Sequence, residues 1–237
     1  MSDIMTMMWK ESKELLFQGG WRSLLFPLIL LGILGAYLPL QFGLQWLALS
    51  PGELFLILWI PFYVIIVYIG DAIAGERERH TLETLLASRI SDRAILLGKV
   101  LVTVGFAWGM ALVSLLLSLM LVNLFRGNGS LTFYHPLDIL LETLTLSLLT
   151  TFLGASAGVL ISLCAATVRQ AQQLLGVGSL VLIFGGIIIL QMLPTRFLSS
   201  LSYSQSLLLA IAVFAVLDAI LLAASLARFQ RSRLILS

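Results

Sequence analysis

Six stretches of this chain contain no Asp, Glu, Lys or Arg: Ser23 to Gly52, Leu54 to Gly70, Val100 to Phe125, Thr143 to Val168, Gln170 to Thr195 and Phe197 to Leu217. Crossing a hydrocarbon core takes about 20 predominantly apolar residues in a helix, and each stretch reaches or nearly reaches that length. Barrel strands alternate apolar and polar residues, and these runs do not. Lipid cannot satisfy an open backbone, so helices are the spanning element. With 59% apolar and 11% charged residues and a mean hydropathy of +1.05, the chain lacks the charge that keeps a soluble surface in water. The expectation is an all-α membrane protein, a single transmembrane domain over 1–237, with spans near 23–41, 54–74, 94–125, 137–167, 174–193 and 206–228. The first 22 residues mix both signs of charge, and the apolar run after them is too long for a signal-peptide core.

The basic residues orient these spans. With the N-terminus in the cytoplasm, Lys10, Lys13, Arg22, Arg77, Arg79, Arg89, Arg93, Lys99, Arg169, Arg228, Arg231 and Arg233 lie inside, and of the 14 Lys and Arg only Arg126 and Arg196 lie outside. The outer loops are short, so the positive-inside rule applies and both termini are expected in the cytoplasm. The net charge of +2 gives no reason to expect nucleic acid as a partner. A lone Cys164 supports neither an intrachain disulfide nor a metal site.

Residues 1–22 read as a helix in the inner interface. Ile4, Met5, Met8, Trp9, Leu15 and Leu16 share an apolar side, Lys10, Glu11, Lys13 and Glu14 turn to water, and Gly19-Gly20 ends the helix. Gly105-x-x-x-Gly109 and Gly154-x-x-x-Gly158 set small residues one turn apart, which permits close helix packing.

The densest charge lies in the cytoplasmic segment Gly70 to Lys99. Leu82, Leu85 and Leu86 fall at helical spacing there, with Glu83 and Thr84 pointing elsewhere, and Ser91 or Asp92 can cap the next span. A short amphipathic helix across the inner mouth fits this pattern, and so does an ordinary solvated loop.

This segment resembles the signature of type-2 ATP-binding-cassette exporter permeases, G-E-x-E-x-G-T-L-E-x-L-L followed by G-K, at Gly75, Glu76, Glu78, Thr81, Leu82, Glu83, Leu85, Leu86, Gly98 and Lys99. Ala166 to Gln173, A-T-V-R-Q-A-Q-Q, is similar to that family's second inner loop. His80 stands where the family usually has Gly, Arg89 where Pro is common, and the loop between spans five and six is short. The resemblance implies that loop 75–93 is a coupling helix seated on a cytoplasmic ATPase. Glu76, Glu78, Thr81 and Glu83 would then make polar contacts, with Leu82, Leu85 and Leu86 seating the helix and Asp71 bracing the loop. It further implies a second permease copy or paralogue as partner, ATP and Mg bound by the ATPase and not by this chain, and a prokaryotic-type plasma (inner) membrane. Gly98-Lys99 lacks the remainder of a phosphate loop.

Inside the spans, Asp218 is the outlier, because a carboxylate at mid-helix costs about 2.5–3.5 kcal/mol on the insertion scale. It is read either as a substrate or proton contact or as a hydrogen-bonded structural acid. Asp138 and Glu142, after Pro136, read as helix capping, with a cation contact at Glu142 as the alternative. Competing functions are a haem-export-type permease of cytochrome c maturation, an intramembrane enzyme using Asp218 with Glu142, and an assembly factor.

Overall fold

The computed structural model describes residues 2–17, 20–81, 85, 87–127, 129–192 and 203–229. Its helices are α1 (Ser2–Phe17), α2 (Gly20–Gly32), α3 (Leu38–Phe42), α4 (Pro51–Ile69), α5 (Asp71–Glu78), α6 (Asp92–Arg126), α7 (Leu137–Cys164), α8 (Val168–Met192) and α9 (Tyr203–Arg228). No strand occurs among the described residues. Among the described residues, five helical stretches are long and apolar enough to cross a membrane: Leu25–Ala48, Glu53–Glu78, Asp92–Arg126, Leu137–Cys164 and Leu208–Arg228. The expected fifth span, 174–193, coincides with α8, a helix of 25 residues.

Two boundaries differ from the sequence reading. The first span runs on to Ala48 because α2 passes through a π-helical turn, Ile33–Tyr37, into α3 and a 3₁₀ turn, Gly43–Ala48. Pro27 inside α2 and Pro39 at the start of α3 remove backbone donors on either side of the π turn. The second span continues past Gly70 into α5, so the first residues of the expected loop are helical.

Helix α6 has 35 residues, roughly 52 Å at 1.5 Å per residue, against a hydrocarbon core of about 30 Å. Protein packs on both of its ends. Its inner turns carry α1: Met7 is fully buried, and a Cβ on Gly98 would lie 2.7 Å from Met7 Cγ. At the outer end, chain 129–136 folds back along α6. The Asn123 amide donates to Thr132 O at 2.9 Å and its carbonyl accepts from Thr132 N at 2.7 Å. Deeper, the Tyr134 hydroxyl donates to Leu115 O at 3.1 Å. Ser91 caps the inner end of α6, its hydroxyl accepting from Ala94 N at 3.3 Å, as the sequence suggests.

The core lies where α4 crosses α7. A Cβ on Gly154 would sit 2.8 Å from both Ile65 Cγ2 and Phe62 Cε2, and one on Gly158 only 2.2 Å from Ile69 Cγ2. These two glycines therefore do pack a helix pair. Gly105 and Gly109 face open space and pack nothing within the described chain.

Gly158→Ala must push Ile69 aside and is expected to cost about 1–3 kcal/mol of stability. Gly109→Ala, with room for its methyl group, should match or exceed the parent. Thermal unfolding of the two variants in detergent measures the contrast.

Candidate coupling site

The site is assembled at the junction of α4 and α5. The Ser162 hydroxyl, on α7, accepts from Ile73 N at 3.1 Å and Ala74 N at 2.9 Å and donates to Gly70 O at 3.1 Å. It thus satisfies backbone groups that the turn at Gly70 leaves without helical partners. Gly70 is required by packing: a Cβ there would meet Gln172 Cγ at 2.9 Å. Gln172 in turn donates its amide to Val67 O at 2.8 Å.

Helix α5 then ties down the neighbouring helix ends. Arg77 donates to Ala165 O at 2.7 Å and Leu163 O at 3.2 Å, capping the last turn of α7 with a cation. Glu78 accepts from Val168 N at 2.8 Å, placing a carboxylate at the start of α8. The two signature segments, about 90 residues apart in sequence, are one structure. Neither motif by itself shows that the other is its partner.

On the opposite side of α5 lies a buried ionic hub. Glu76 Oε1 accepts from Lys99 Nζ at 3.3 Å and from Lys10 Nζ at 3.1 Å, and its other oxygen accepts from the Thr81 hydroxyl. Lys99, with a side chain only 4% exposed, also donates to Glu11 at 2.7 Å, and Lys10 pairs with Glu14 at 3.0 Å. Glu11, Glu14 and Glu76 bring carboxylate oxygens within 4.8 Å of one another, and Lys10 and Lys99 supply the charge between them. Burial works to lower the Lys10 ammonium, but Glu14, Glu11 and Glu76 outweigh it and hold its pKa above 10.5.

This hub corrects the sequence reading of α1. Lys10, Glu11 and Glu14 turn towards α5 and α6, not to water, while Met5 and Trp9 are the exposed apolar residues. Periodicity could not separate the two cases, because a charged stripe looks the same whether water or opposite charges face it. Glu76 itself is buried and fully engaged within the chain. Leu85 packs into the chain's own core with Ile73, Ile95 and Leu96. Glu78 and Thr81 are exposed, although Glu78 also holds Val168. Leu82, Glu83 and Leu86 lie outside the described residues.

His80 explains the glycine usual at its position. It sits at φ +56°, in the left-handed region, where its N donates to Arg77 O at 3.1 Å to close the turn after α5. Asp71 braces the same turn from an exposed position, pairing with Arg79 at 2.7 Å. Between α1 and this turn is a cavity of about 400 Å³ bordered by Lys10, Glu14, Glu76, Arg79, Thr81 and Leu85 among others.

Asp218 and Glu142 are elsewhere. Asp138 occupies the first turn of α7, but Glu142 is a turn deeper, and its Oε2 is buried with no hydrogen-bond partner among the described residues. Asp138 lies where its charge complements the helix dipole, but the N-cap of α7, Pro136, makes no side-chain cap hydrogen bond. Both carboxylate oxygens of Asp218 are likewise buried, with no hydrogen-bond partner among the described residues.

The architecture is that of a multi-pass helical membrane protein, one end of which is built from the two motif segments. The sequence profile described as ABC-2 family transporter protein matches residues 49–236, and the chain belongs to that family as a membrane permease subunit of an ABC transporter. No curated protein and no solved structure matches it significantly.

Removing Lys99 leaves Glu76 and Glu11 buried with less countercharge, so Lys99→Met is expected to cost about 3–5 kcal/mol. Adding Glu76→Gln should recover part of that loss, a coupling visible in a double-mutant cycle of melting temperatures. His80→Gly should be close to neutral, whereas His80→Val, branched at a left-handed residue, should cost about 1–2 kcal/mol.

Proposed function

We propose that the chain is the membrane half of an ATP-driven exporter in a plasma membrane, with six spans and both termini in the cytoplasm. Two such subunits, identical or paralogous, form the pore, and two cytoplasmic ATPases bind ATP and Mg. The observation that carries this reading is the welding of α1, α5 and the inner ends of α6, α7 and α8 into one block. A stroke applied to the loop after Thr81 would meet a rigid body and not a flexible loop. Turning a two-state pore from 1:99 to 99:1 takes about 5.5 kcal/mol, and only a stiff connection delivers that at a distance.

In this reading Glu78, Thr81, Glu83, Leu82 and Leu86 face the ATPase, while Glu76 and Leu85 hold the segment to its own subunit. The haem-export variant shares the class and differs only in cargo. The intramembrane-enzyme reading gains no support, since among the described residues Asp218 and Glu142 belong to no cluster of metal-ligating groups.

Tagged chain extracted in mild detergent from its native membranes should co-purify with an ABC ATPase and with a second permease copy or paralogue. Glu83→Arg with Leu86→Asp should abolish ATPase recovery without lowering membrane abundance. Absence of any ATPase across several detergents would overturn the exporter reading.

A further inference from the structure

Beyond Lys99, α6 carries no charged side chain until Arg126, its last residue. Twenty residues from Val100 rise about 30 Å, the thickness of a hydrocarbon core, and reach Leu119. The final two turns of α6 therefore lie where hydrocarbon gives way to headgroups, and Arg126 stands at headgroup level. Arg126 is exposed, and no described residue pairs with it.

The strap 129–136 runs against these turns. The Thr132 backbone and the Tyr134 hydroxyl bond to α6, and Tyr134 is buried, whereas Leu131 and Phe133 are 79% and 62% exposed. The alternation of an extended segment holds one pair on α6 and turns the other away from it. Between strap and helix is an open slot of about 510 Å³, lined by Asn123, Thr132 and seven Leu, Met and Phe side chains. The Asn123 amide is fully used, since it also donates to Leu119 O at 2.8 Å beside its two bonds to Thr132. The slot thus keeps its shape by internal bonds and offers an occupant apolar contact in place of hydrogen bonds. From Leu117 to Leu124 it follows α6 for about 10 Å along the axis. Its wall residues Met120 and Leu124 are 70% and 74% exposed.

Depth, direction and charge select the occupant. At this depth the surroundings are acyl chains and headgroups, not bulk water. A groove along a spanning helix runs the way an acyl chain runs. An acidic headgroup at the end of that chain meets Arg126, whose guanidinium fits a phosphate. A zwitterionic headgroup brings its own cation and needs Arg126 less.

We infer that this slot is a specific site for one anionic phospholipid of the leaflet remote from the coupling site. One acyl chain lies between α6 and the strap, and Arg126 takes the phosphate. The lipid fastens the strap to α6 from outside, as the Asn123–Thr132 pair does within. The inference needs only that α6 crosses the bilayer; it does not rest on the exporter reading.

The test uses purified full-length chain in nanodiscs of phosphatidylcholine with a small fraction of phosphatidylglycerol carrying a diazirine in one acyl chain. After irradiation, peptide mapping should place the label on 117–124 and 131–133 at least fivefold more densely than on the exposed face of α9 at Val213, Val216 and Ile220. Unlabelled phosphatidylglycerol should compete, and glycerol 3-phosphate, the headgroup without chains, should not. Met120→Trp with Leu124→Trp fills the slot and should lower its labelling at least fivefold while α9 is labelled as before. Arg126→Gln should lower phosphatidylglycerol labelling at least threefold and leave labelling by a diazirine diacylglycerol, which has no phosphate, unchanged. Size-exclusion profile and melting temperature check that the variants are folded. Labelling no denser than on α9, or unchanged in the folded double-Trp variant, would overturn the site as annular contact. Unchanged phosphatidylglycerol labelling of Arg126→Gln would overturn the headgroup contact. A disulfide-linked pair formed by Leu131→Cys chains carrying Cys164→Ser would show a second copy covering the slot and overturn the lipid assignment.

Discussion

The contact on which the inner half of this protein depends is the buried pairing of Glu76 with Lys99. It joins α5 to α6, and through Glu11 and Lys10 it fastens α1 to both. Ions withdrawn from water lose hydration that their mutual attraction only partly returns, so such a hub adds little net stability. Its effect is selective. Any arrangement in which α1 lifts away exposes Met7 and separates Lys99 from Glu11, and any in which α5 rotates leaves Lys99 facing fewer carboxylates. Gly98, next to Lys99, permits this by letting Met7 approach where a side chain would collide. The adjacent Gly and Lys of the motif thus serve one contact, one by leaving room and the other by filling it with charge.

A second set of bonds fixes α5 on its other side. Ser162 closes the gap at Gly70, Arg77 and Glu78 cap helices running in from both directions, and Gln172 reaches back to α4. Each bond is modest, about 0.5–1.5 kcal/mol net for a neutral pair and somewhat more where a charge takes part. They act together because they bear on a segment of eight residues. A load on α5 passes along α4, whose half nearest α5 packs against α7 at Gly154 and Gly158. The path from α5 to the core between α4 and α7 therefore runs through hydrogen-bonded and close-packed contacts.

The spanning helices were legible in the sequence because the absence of charge over twenty or more residues has few structural solutions. The motif residues were legible as a set, but their directions were not. Glu76 and Glu78 are two residues apart and look alike in the chain, yet one is enclosed by lysines and the other caps a helix in the open. Lys10, Glu11 and Glu14 carried the signal of a water-facing stripe, and only the position of Lys99, 88 residues beyond Glu11, shows otherwise. Ser162 and Gln172 gave no signal, since a serine inside an apolar helix and a glutamine after it are common. For His80 the departure from the family pattern was itself the clue, and the φ of +56° supplies its reason.

The two ends of the molecule are held differently. At the inner end nearly every polar group has a partner, and several have two or three. Along the seam of α7 and α9 the helices meet through apolar contacts and one serine hydroxyl, with carboxylates enclosed and unmatched. An unmatched carboxylate is costly in the bilayer, and a proton, a hydrogen-bond donor or a cation relieves that cost.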